Sequence, residues 1–218
     1  MKLEAVRDQI DELYLRAITI GFSVQQNHCL VETGARLSIG DLRGSEVSLK
    51  NVPYEDVYAE LDRNNAYHLK LPDGALMIFQ YQFGPDQIVK KHRLAYFPCP
   101  SLPSPEEAPE LYSRDDLYAD ILMTRIVRFP IRFDFDPSNY KPSFHAASHL
   151  TLGQFENCRI PASHPVSPHA FWVFVARNFY FQLFRKHQNA FEKSMRRCIG
   201  QECITDFERR MTRLEVGV

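Results

Sequence analysis

The sequence predicts an α+β fold, with a mainly antiparallel sheet in meander order and helices packed on one face of it. Polar and apolar residues alternate over residues 128–136, which is typical of a strand with one buried face. Two tight turns, Pro72-Asp73-Gly74 and Gly84-Pro85-Asp86, leave no room for the crossovers of a parallel sheet. One continuous aromatic-rich helix, expected over residues 168–187, is apolar around most of its girth, so we expect it to be buried against the sheet.

The N-terminal element is predicted to be an amphipathic helix over residues 1–20. Its apolar residues recur at spacings of three and four, and Gly21 supplies a C-terminal cap. Short strands over residues 27–33 and 46–50 are expected next. A helix then opens at Pro53, because proline is favoured in the first turn of a helix.

The sheet core is expected over about residues 65–155 of a single domain. A hairpin over residues 67–83 and a strand over 87–97 come first. Residues 98–109 contain five prolines, so they predict an exposed loop that limited proteolysis should cleave first. An extended segment over residues 117–123 leads into the alternating strand, and a second alternating run covers residues 149–154.

The C-terminal helices are expected over about residues 168–214. The segment over residues 201–214 is mainly charged and is expected to form a helix against the N-terminal one. Five large apolar side chains are predicted to lie in the core: Phe79, Phe133, Leu150, Trp172 and Phe179.

Composition is that of an ordinary soluble protein, with 218 residues, 44% hydrophobic and 24% charged. The net charge of −1 gives no bulk attraction to nucleic acid or to an anionic membrane, so any such contact has to be local. The five cysteines are widely spaced without a CxxC pair, which favours a reducing compartment. No signal-peptide core and no membrane-length apolar run is found, so we expect a cytoplasmic protein without membrane contact.

The polar side of the alternating strand carries the first candidate site residues, Arg132, Asp134 and Asp136. Aspartate is depleted in strands, and two carboxylates on one face repel each other unless something compensates them. Two interpretations remain open. Arg132 pairs with a carboxylate as a structural ion pair, or the aspartates act in catalysis or metal binding.

Two histidines, His145 and His149, follow four residues apart. Pro142 and the extended pattern disfavour a helical metal pair, and the HExxH glutamate is missing. Imidazoles and carboxylates together suit a divalent metal such as manganese or zinc. Alternatively, two histidines cleave RNA without metal, one accepting the 2′-hydroxyl proton and one protonating the leaving oxygen. The groups expected to bind the phosphate are Arg132, Arg159, His92 and Arg93.

Several common motifs are missing. The sequence contains no GxGxxG, no P-loop and no GxSxG. These absences remove the support for dinucleotide, nucleoside triphosphate and α/β-hydrolase chemistry. The sequence therefore leaves open whether the protein uses a divalent metal or no cofactor.

Five segments carry a resemblance to a known family: LPDGALMIFQYQF, KHRLAYFPCP, IRFDFDP, HAASHLTLGQFENCRIP and SPHAFWVFVARNFY. In order and spacing they resemble an uncharacterised family of bacterial proteins, a domain of unknown function. The resemblance covers roughly residues 65–182 and implies a bacterial single-domain protein, with no established activity. The arginine–aromatic–aspartate strand before a histidine cluster is also similar to small toxins of toxin–antitoxin modules, which points towards RNA.

Two functions follow from these observations. The first is a phosphodiesterase or ribonuclease of a defence or toxin–antitoxin system, with His145, His149, Asp134 and Asp136 as catalytic residues. The second is a non-catalytic module that binds a protein partner encoded nearby through its aromatic and basic C-terminal helix. Convergence of the four catalytic candidates in one place favours the first function, and dispersion favours the second.

Overall fold

The computed structural model describes residues 1–29, 31–33, 37–40, 52–101, 109, 129–155, 157–193 and 195–217. The helices are α1 (Leu3–Thr19), α2 (Tyr54–Arg63), α3 (Pro168–Phe179), α4 (Phe181–Lys186) and α5 (Gln188–Glu192). The strands are β1 (Gln25–Gln26), β2 (Val31–Thr33), β3 (Leu37–Ile39), β4 (Leu69–Lys70), β5 (Leu76–Phe83), β6 (Val89–Phe97), β7 (Ile131–Phe135), β8 (Ser148–Leu152) and β9 (Ile160–Pro161). The predicted segments 46–50 and 117–123, and most of the proline-rich loop, lie outside the described residues.

The nine described strands form one sheet in which every pairing is antiparallel. Strands β4 to β9 follow one another in chain order, with β1 beside β4 and the β2–β3 hairpin against β5. The turn after β5 closes where the Gly84 N–H donates to the Ile88 carbonyl at 3.0 Å. The predicted α+β class and antiparallel meander are confirmed.

Helices α1 and α3 cover the first face of the sheet and enclose the main core. The apolar side of β7 faces α3, with the Phe133 and Phe171 rings 6.0 Å apart. Four of the five predicted core side chains are buried there, namely Phe79, Phe133, Leu150 and Trp172. Phe179 is partly buried and stacks on Tyr96 at 5.2 Å between ring centroids.

Helix α2 lies on the second face, where it covers part of β5 and β6. The buried residues of α2 pack with side chains of β5 and β6 that lie on the opposite face of the sheet from the main core. This second cluster includes Val57, Tyr58, Leu61, Leu76, Ile78, Ala95 and Phe97. The ion pair between Lys70 and Asp62, at 2.7 Å, ties α2 to β4. Because α2 stops short of β7 and β8, the polar residues of those strands stay uncovered by it.

The C-terminal third differs from the predicted long helices. Tyr180 leaves helical geometry (φ −134°, ψ 52°) and separates α3 from α4. Its buried hydroxyl donates to the Asp73 carboxylate at 2.6 Å, which ties this break to the β4–β5 turn. The break therefore follows from a tertiary contact.

The helix predicted over residues 201–214 is wrong. One short 3-10 turn, Glu208–Arg210, interrupts an otherwise irregular segment. Leu214 instead extends the sheet edge: its N–H donates to the Pro161 carbonyl at 2.8 Å, and its carbonyl accepts from Ser163 N–H at 3.0 Å. The segment thereby satisfies edge groups next to β9 that would otherwise lack partners.

Candidate functional site

The candidate site lies on the second face of the sheet, across β6, β7 and β8, beyond the part that α2 covers. The strand register places Arg93 opposite Asp134, and Asp134 opposite His149, so these three residues form one row across the sheet. Neighbouring strands lie about 4.8 Å apart, which brings the three side chains together. Arg132, paired with Thr151, stands in the next row on the same face.

Asp134 is the carboxylate at the centre of this row. One oxygen accepts from Arg93 Nε at 2.9 Å, and the other lies 3.9 Å from Arg132 Nε. Burial raises the pKa of Asp134, but Arg93 and Arg132 outweigh burial and the pKa falls below its usual value. Asp134 is therefore ionised at neutral pH and stabilises two guanidinium groups at once.

Arg132 and Arg159 add positive charge that Asp134 does not balance. The Arg132 side chain is 18% exposed, and its Nε is buried without a hydrogen-bond partner. Arg159 is partly buried just before β9, and its charge lowers the pKa of Arg132, His145 and His149. Arg159 forms no ion pair within the described part of the chain. Among the described residues, the cluster thus has three guanidinium groups around Asp134, and this excess positive charge suits an anion.

The two histidines are in direct contact, with ring centroids 4.8 Å apart and an interplanar angle of 77°. His149 is buried, and its Nδ1 lies 3.0 Å from the Ala146 carbonyl. A carbonyl only accepts, so Nδ1 carries the proton and Nε2 keeps a lone pair. Burial lowers the pKa of His149, opposed by Asp134. Burial and then Arg159 lower the pKa of His145, whose Nδ1 is buried without a partner. Both imidazoles are therefore neutral at pH 7.

Asp136 lies on the same face, but its carboxylate is already engaged by neighbours. It accepts from Ser138 Oγ at 2.5 Å and from Asn139 Nδ2 at 2.7 Å, and it pairs with Lys91 Nζ at 2.6 Å. Burial raises its pKa, but these partners bring the pKa down to about 2. These contacts fix the 3-10 turn Pro137–Asn139 that follows β7.

His92 does not join the other candidates, because it lies on the opposite face of the sheet. It pairs with Phe135, and its side chain is fully buried between the rings of Tyr81 and Phe135. Its Nε2 accepts from the Val166 N–H at 3.0 Å, and burial lowers its pKa to about 4. The next residue, Arg93, is the one that reaches the site.

The structure thus brings together six of the eight predicted site residues around one place: Arg93, Arg132, Asp134, His145, His149 and Arg159. Within the described ranges, no group of three or more His, Cys, Asp or Glu side chains is arranged to hold a metal ion. The described helices also include none with the length and apolar character of a membrane span.

Two features at or beside the site were not predicted. The first is the Ala146 carbonyl that fixes the His149 tautomer, a backbone group that leaves no signal in the sequence. The second is a pair of exposed aromatic side chains, Phe144 and Phe155, which flank β8 and are 79% and 71% exposed. Each of these phenylalanines lies in an otherwise polar turn segment, and this is the sequence feature that could have indicated an exposed ring.

Comparison with known proteins gives one match. A family described as "Uncharacterized conserved protein (DUF2290)" matches residues 22–216, which extends well beyond the segments that carried the resemblance. No curated protein and no solved structure matches the chain.

Proposed function

The chain belongs to the DUF2290 family, and we propose that its second sheet face binds and cleaves a phosphodiester of RNA, with His145 and His149 transferring the protons. One observation carries this proposal: Asp134 pairs with Arg93 and Arg132, and Arg159 adds a third guanidinium group nearby, beside two neutral imidazoles in contact with each other. A cationic pocket that also holds a proton acceptor is the arrangement that phosphodiester cleavage requires.

Arg132 and Arg159 bind the phosphate in this proposal. A diester carries one negative charge, which offsets one of the two positive charges that Asp134 leaves uncompensated. Arg132 Nε is buried without a partner, so a phosphate oxygen supplies the acceptor that this N–H lacks. Arg93 and Asp134 act as positioning residues, because their ion pair fixes the row in which His149 lies.

His149 acts as the general base. Its Nδ1–H is fixed on the Ala146 carbonyl, so Nε2 is available to accept a proton. In the step we propose, the ribose 2′-oxygen attacks phosphorus while its proton passes to His149 Nε2. The bond from phosphorus to the 5′-oxygen breaks, and the products are a 2′,3′-cyclic phosphate and a free 5′-hydroxyl.

His145 acts as the general acid that protonates the leaving 5′-oxygen. Arg159 is one cause of its low pKa in the free protein. A bound phosphate places a negative charge beside Arg159 and thereby raises the pKa of His145. Substrate binding therefore favours the protonated form that the step needs, and no metal takes part in the proton transfers.

RNA is the favoured substrate because it contains its own nucleophile. The 2′-hydroxyl is held next to the phosphate by the ribose, so the protein has to supply proton transfer and charge stabilisation alone. DNA lacks this hydroxyl. A setting in a bacterial defence or toxin–antitoxin system is part of the proposal, and it rests solely on the resemblance to small toxins.

The first prediction is cleavage of RNA but not DNA by the purified protein, with equal rates in the presence and absence of EDTA. We expect His149→Ala and His145→Ala each to lower kcat by about a hundredfold or more, because each removes a proton-transfer group. His28→Ala is the matched control, since His28 is exposed and lies outside the site. Full activity of His149→Ala, or loss of activity in EDTA, would contradict the two-histidine mechanism.

The pH profile of the same reaction belongs to this prediction. Both histidine pKa values lie below their usual value of 6.5 in the free protein. kcat/KM should therefore be bell-shaped with its maximum on the acidic side of pH 6.5, since it reports the free enzyme. A maximum above pH 8 would assign the proton transfers to other groups.

A second candidate function, a protein-interaction module, is favoured by a different surface. The aromatic residues of α3 that pack in the core, such as Trp172, are not accessible to a partner. Leu15, Ile18 and Val24 are instead 64%, 52% and 54% exposed at the C-terminal end of α1 and just beyond it. A protein that is inactive on RNA and loses partner binding on Leu15→Ser would support this function instead.

A further inference from the structure

We infer that the site takes single-stranded RNA, with Phe144 and Phe155 stacking on bases on either side of the cleaved phosphate. This inference rests on the proposed function and adds the strandedness of the substrate and two residues that bind it.

Both rings are unusually exposed. At 79% and 71%, Phe144 and Phe155 have the highest exposure among the large apolar side chains of the described residues. An exposed phenylalanine gains nothing from burial in the fold. A ligand can therefore contact the two rings without disturbing the packing of the core.

Phe144 lies directly before His145 in a tight turn. The Lys141 N–H donates to the His145 carbonyl at 2.9 Å, and the His145 N–H donates to the Lys141 carbonyl at 2.8 Å. These two bonds close the turn, and Ser143 adopts a positive φ of 64° within it. The backbone that carries Phe144 is thus fixed beside the proposed general acid.

Phe155 follows the other end of β8. Gly153 has a positive φ of 65°, and a Cβ placed there would lie 3.3 Å from the Phe155 ring. The ring therefore rests against the Gly153 backbone rather than extending freely into solvent. His149 is part of β8, so the two aromatic turns bracket the proposed general base.

The two turns that carry Phe144 and Phe155 are separated by the length of β8. Residues Ser148–Leu152 of β8 rise about 13 Å between the two turns, and Arg132 and Thr151 lie across this length. Bases of an unpaired strand turn outwards and stack on aromatic side chains while the backbone follows the cations. Bases inside a duplex are paired and stacked on one another, so they cannot reach the rings.

A protein partner fits these features less well than RNA. Phe144 and Phe155 lie in turns before and after β8, whereas protein interfaces use contiguous apolar patches. Arg132, Arg159 and the two imidazoles lie close to one another on or beside β7 and β8, and this charge suits a polyanion. The aromatic and cationic groups together therefore point to a nucleic-acid strand.

The test measures binding of RNA that cannot be cleaved, so that it is independent of catalysis. A 2′-O-methyl oligonucleotide is compared with an abasic strand of equal length and with a duplex. We expect the wild-type protein to bind the strand with bases more tightly than the other two. Phe144→Ala and Phe155→Ala should each weaken this binding roughly five- to a hundredfold, while leaving the affinity for the abasic strand unchanged.

Phe181→Ala is the matched control, because Phe181 is 51% exposed on α4 and lies outside the site. It should bind all three probes as the wild type does. Equal binding of the single strand and the duplex would overturn the inference even if RNA is cleaved. So would a Phe144→Ala variant that loses as much affinity for the abasic strand as for the strand with bases. Base-dependent binding without any cleavage would leave the inference intact and refute the catalytic proposal.

Discussion

Asp134 stands between two guanidinium groups, and its substitution separates a structural from a chemical role. Asp134→Asn leaves Arg132, whose side chain is 18% exposed, without a counter-charge. Arg93 is 45% exposed and can be solvated by water. We therefore expect a loss of about 2 kcal/mol in the free energy of unfolding, less than for a fully buried pair, and a melting temperature lower by several degrees.

The pH dependence of this loss has a definite sign. The pKa of Asp134 is lower in the folded protein than its usual 3.8, so its ion pairs stabilise the fold above that pH. This stabilisation is lost as the pH falls through the folded pKa, and the melting temperatures of wild type and Asp134→Asn should converge there. Glu215→Gln is the control, because its pair with Arg213 is 65% and 36% exposed and contributes little. A higher melting temperature for Asp134→Asn would show that Asp134 is held under repulsion for a chemical purpose.

The site residues could be predicted where alternation sets the face, and less well where it does not. Alternation in β7 correctly placed Arg132, Asp134 and Asp136 on one side, because a strand has a period of two. In β6 the residues Lys, Lys, His and Arg follow one another without an apolar residue between them. The sequence therefore does not show which of them face each side of the sheet. A shift of one residue exchanges the two faces, so His92 and Arg93 could not be told apart from the sequence.

Among the elements, turns and hairpins were the most predictable. The Pro72-Asp73-Gly74 turn and the β5–β6 hairpin depend on local chemistry, namely glycine conformations and aspartate side chains that accept from nearby N–H groups. The end of α3 at Tyr180 depends on Asp73, 107 residues away in sequence. Such a contact leaves no local pattern, so one continuous helix was expected.

The turn after β3 offers a prediction about an element. Gly40 has a φ of +72°, and a Cβ there would lie 2.1 Å from the Phe79 carbonyl oxygen, 2.7 Å from Cys29 Sγ and 2.9 Å from His68 Nε2. Since the carbonyl belongs to β5, Gly40→Ala has to push β3 away from the sheet. We expect a loss of about 3 kcal/mol or more in the free energy of unfolding, measured by urea denaturation.

Gly217→Ala is the control for this substitution. Nothing lies within 4 Å of the Cβ that it adds, so its effect should stay within about 0.5 kcal/mol. If Gly40→Ala were as stable as the wild type, β3 would not approach β5 as closely as these distances require.

At the scale of the whole molecule, charge is distributed unevenly between the two faces. The net charge is −1, yet the described part of the second face concentrates Arg93, Arg132 and Arg159 around Asp134. Bulk charge therefore provides no attraction for RNA, and in the proposed function the phosphate contacts come from this face. The number of counterions that RNA releases on binding should be correspondingly small.

This leads to a prediction for the salt dependence of RNA binding. Two uncompensated guanidinium groups correspond to a slope of about −1.4 in a plot of log K against log salt concentration for a single strand, or about a sevenfold loss of affinity between 50 and 200 mM salt. Arg159→Gln removes one of them and should reduce the slope to about −0.7. Arg185→Gln should leave the slope unchanged, because Arg185 is exposed on α4, which packs against the first-face core. The measurement is a salt titration of a fluorescent 2′-O-methyl strand. A slope that falls on Arg185→Gln but not on Arg159→Gln would place the RNA on the α4 side of the molecule, away from both histidines.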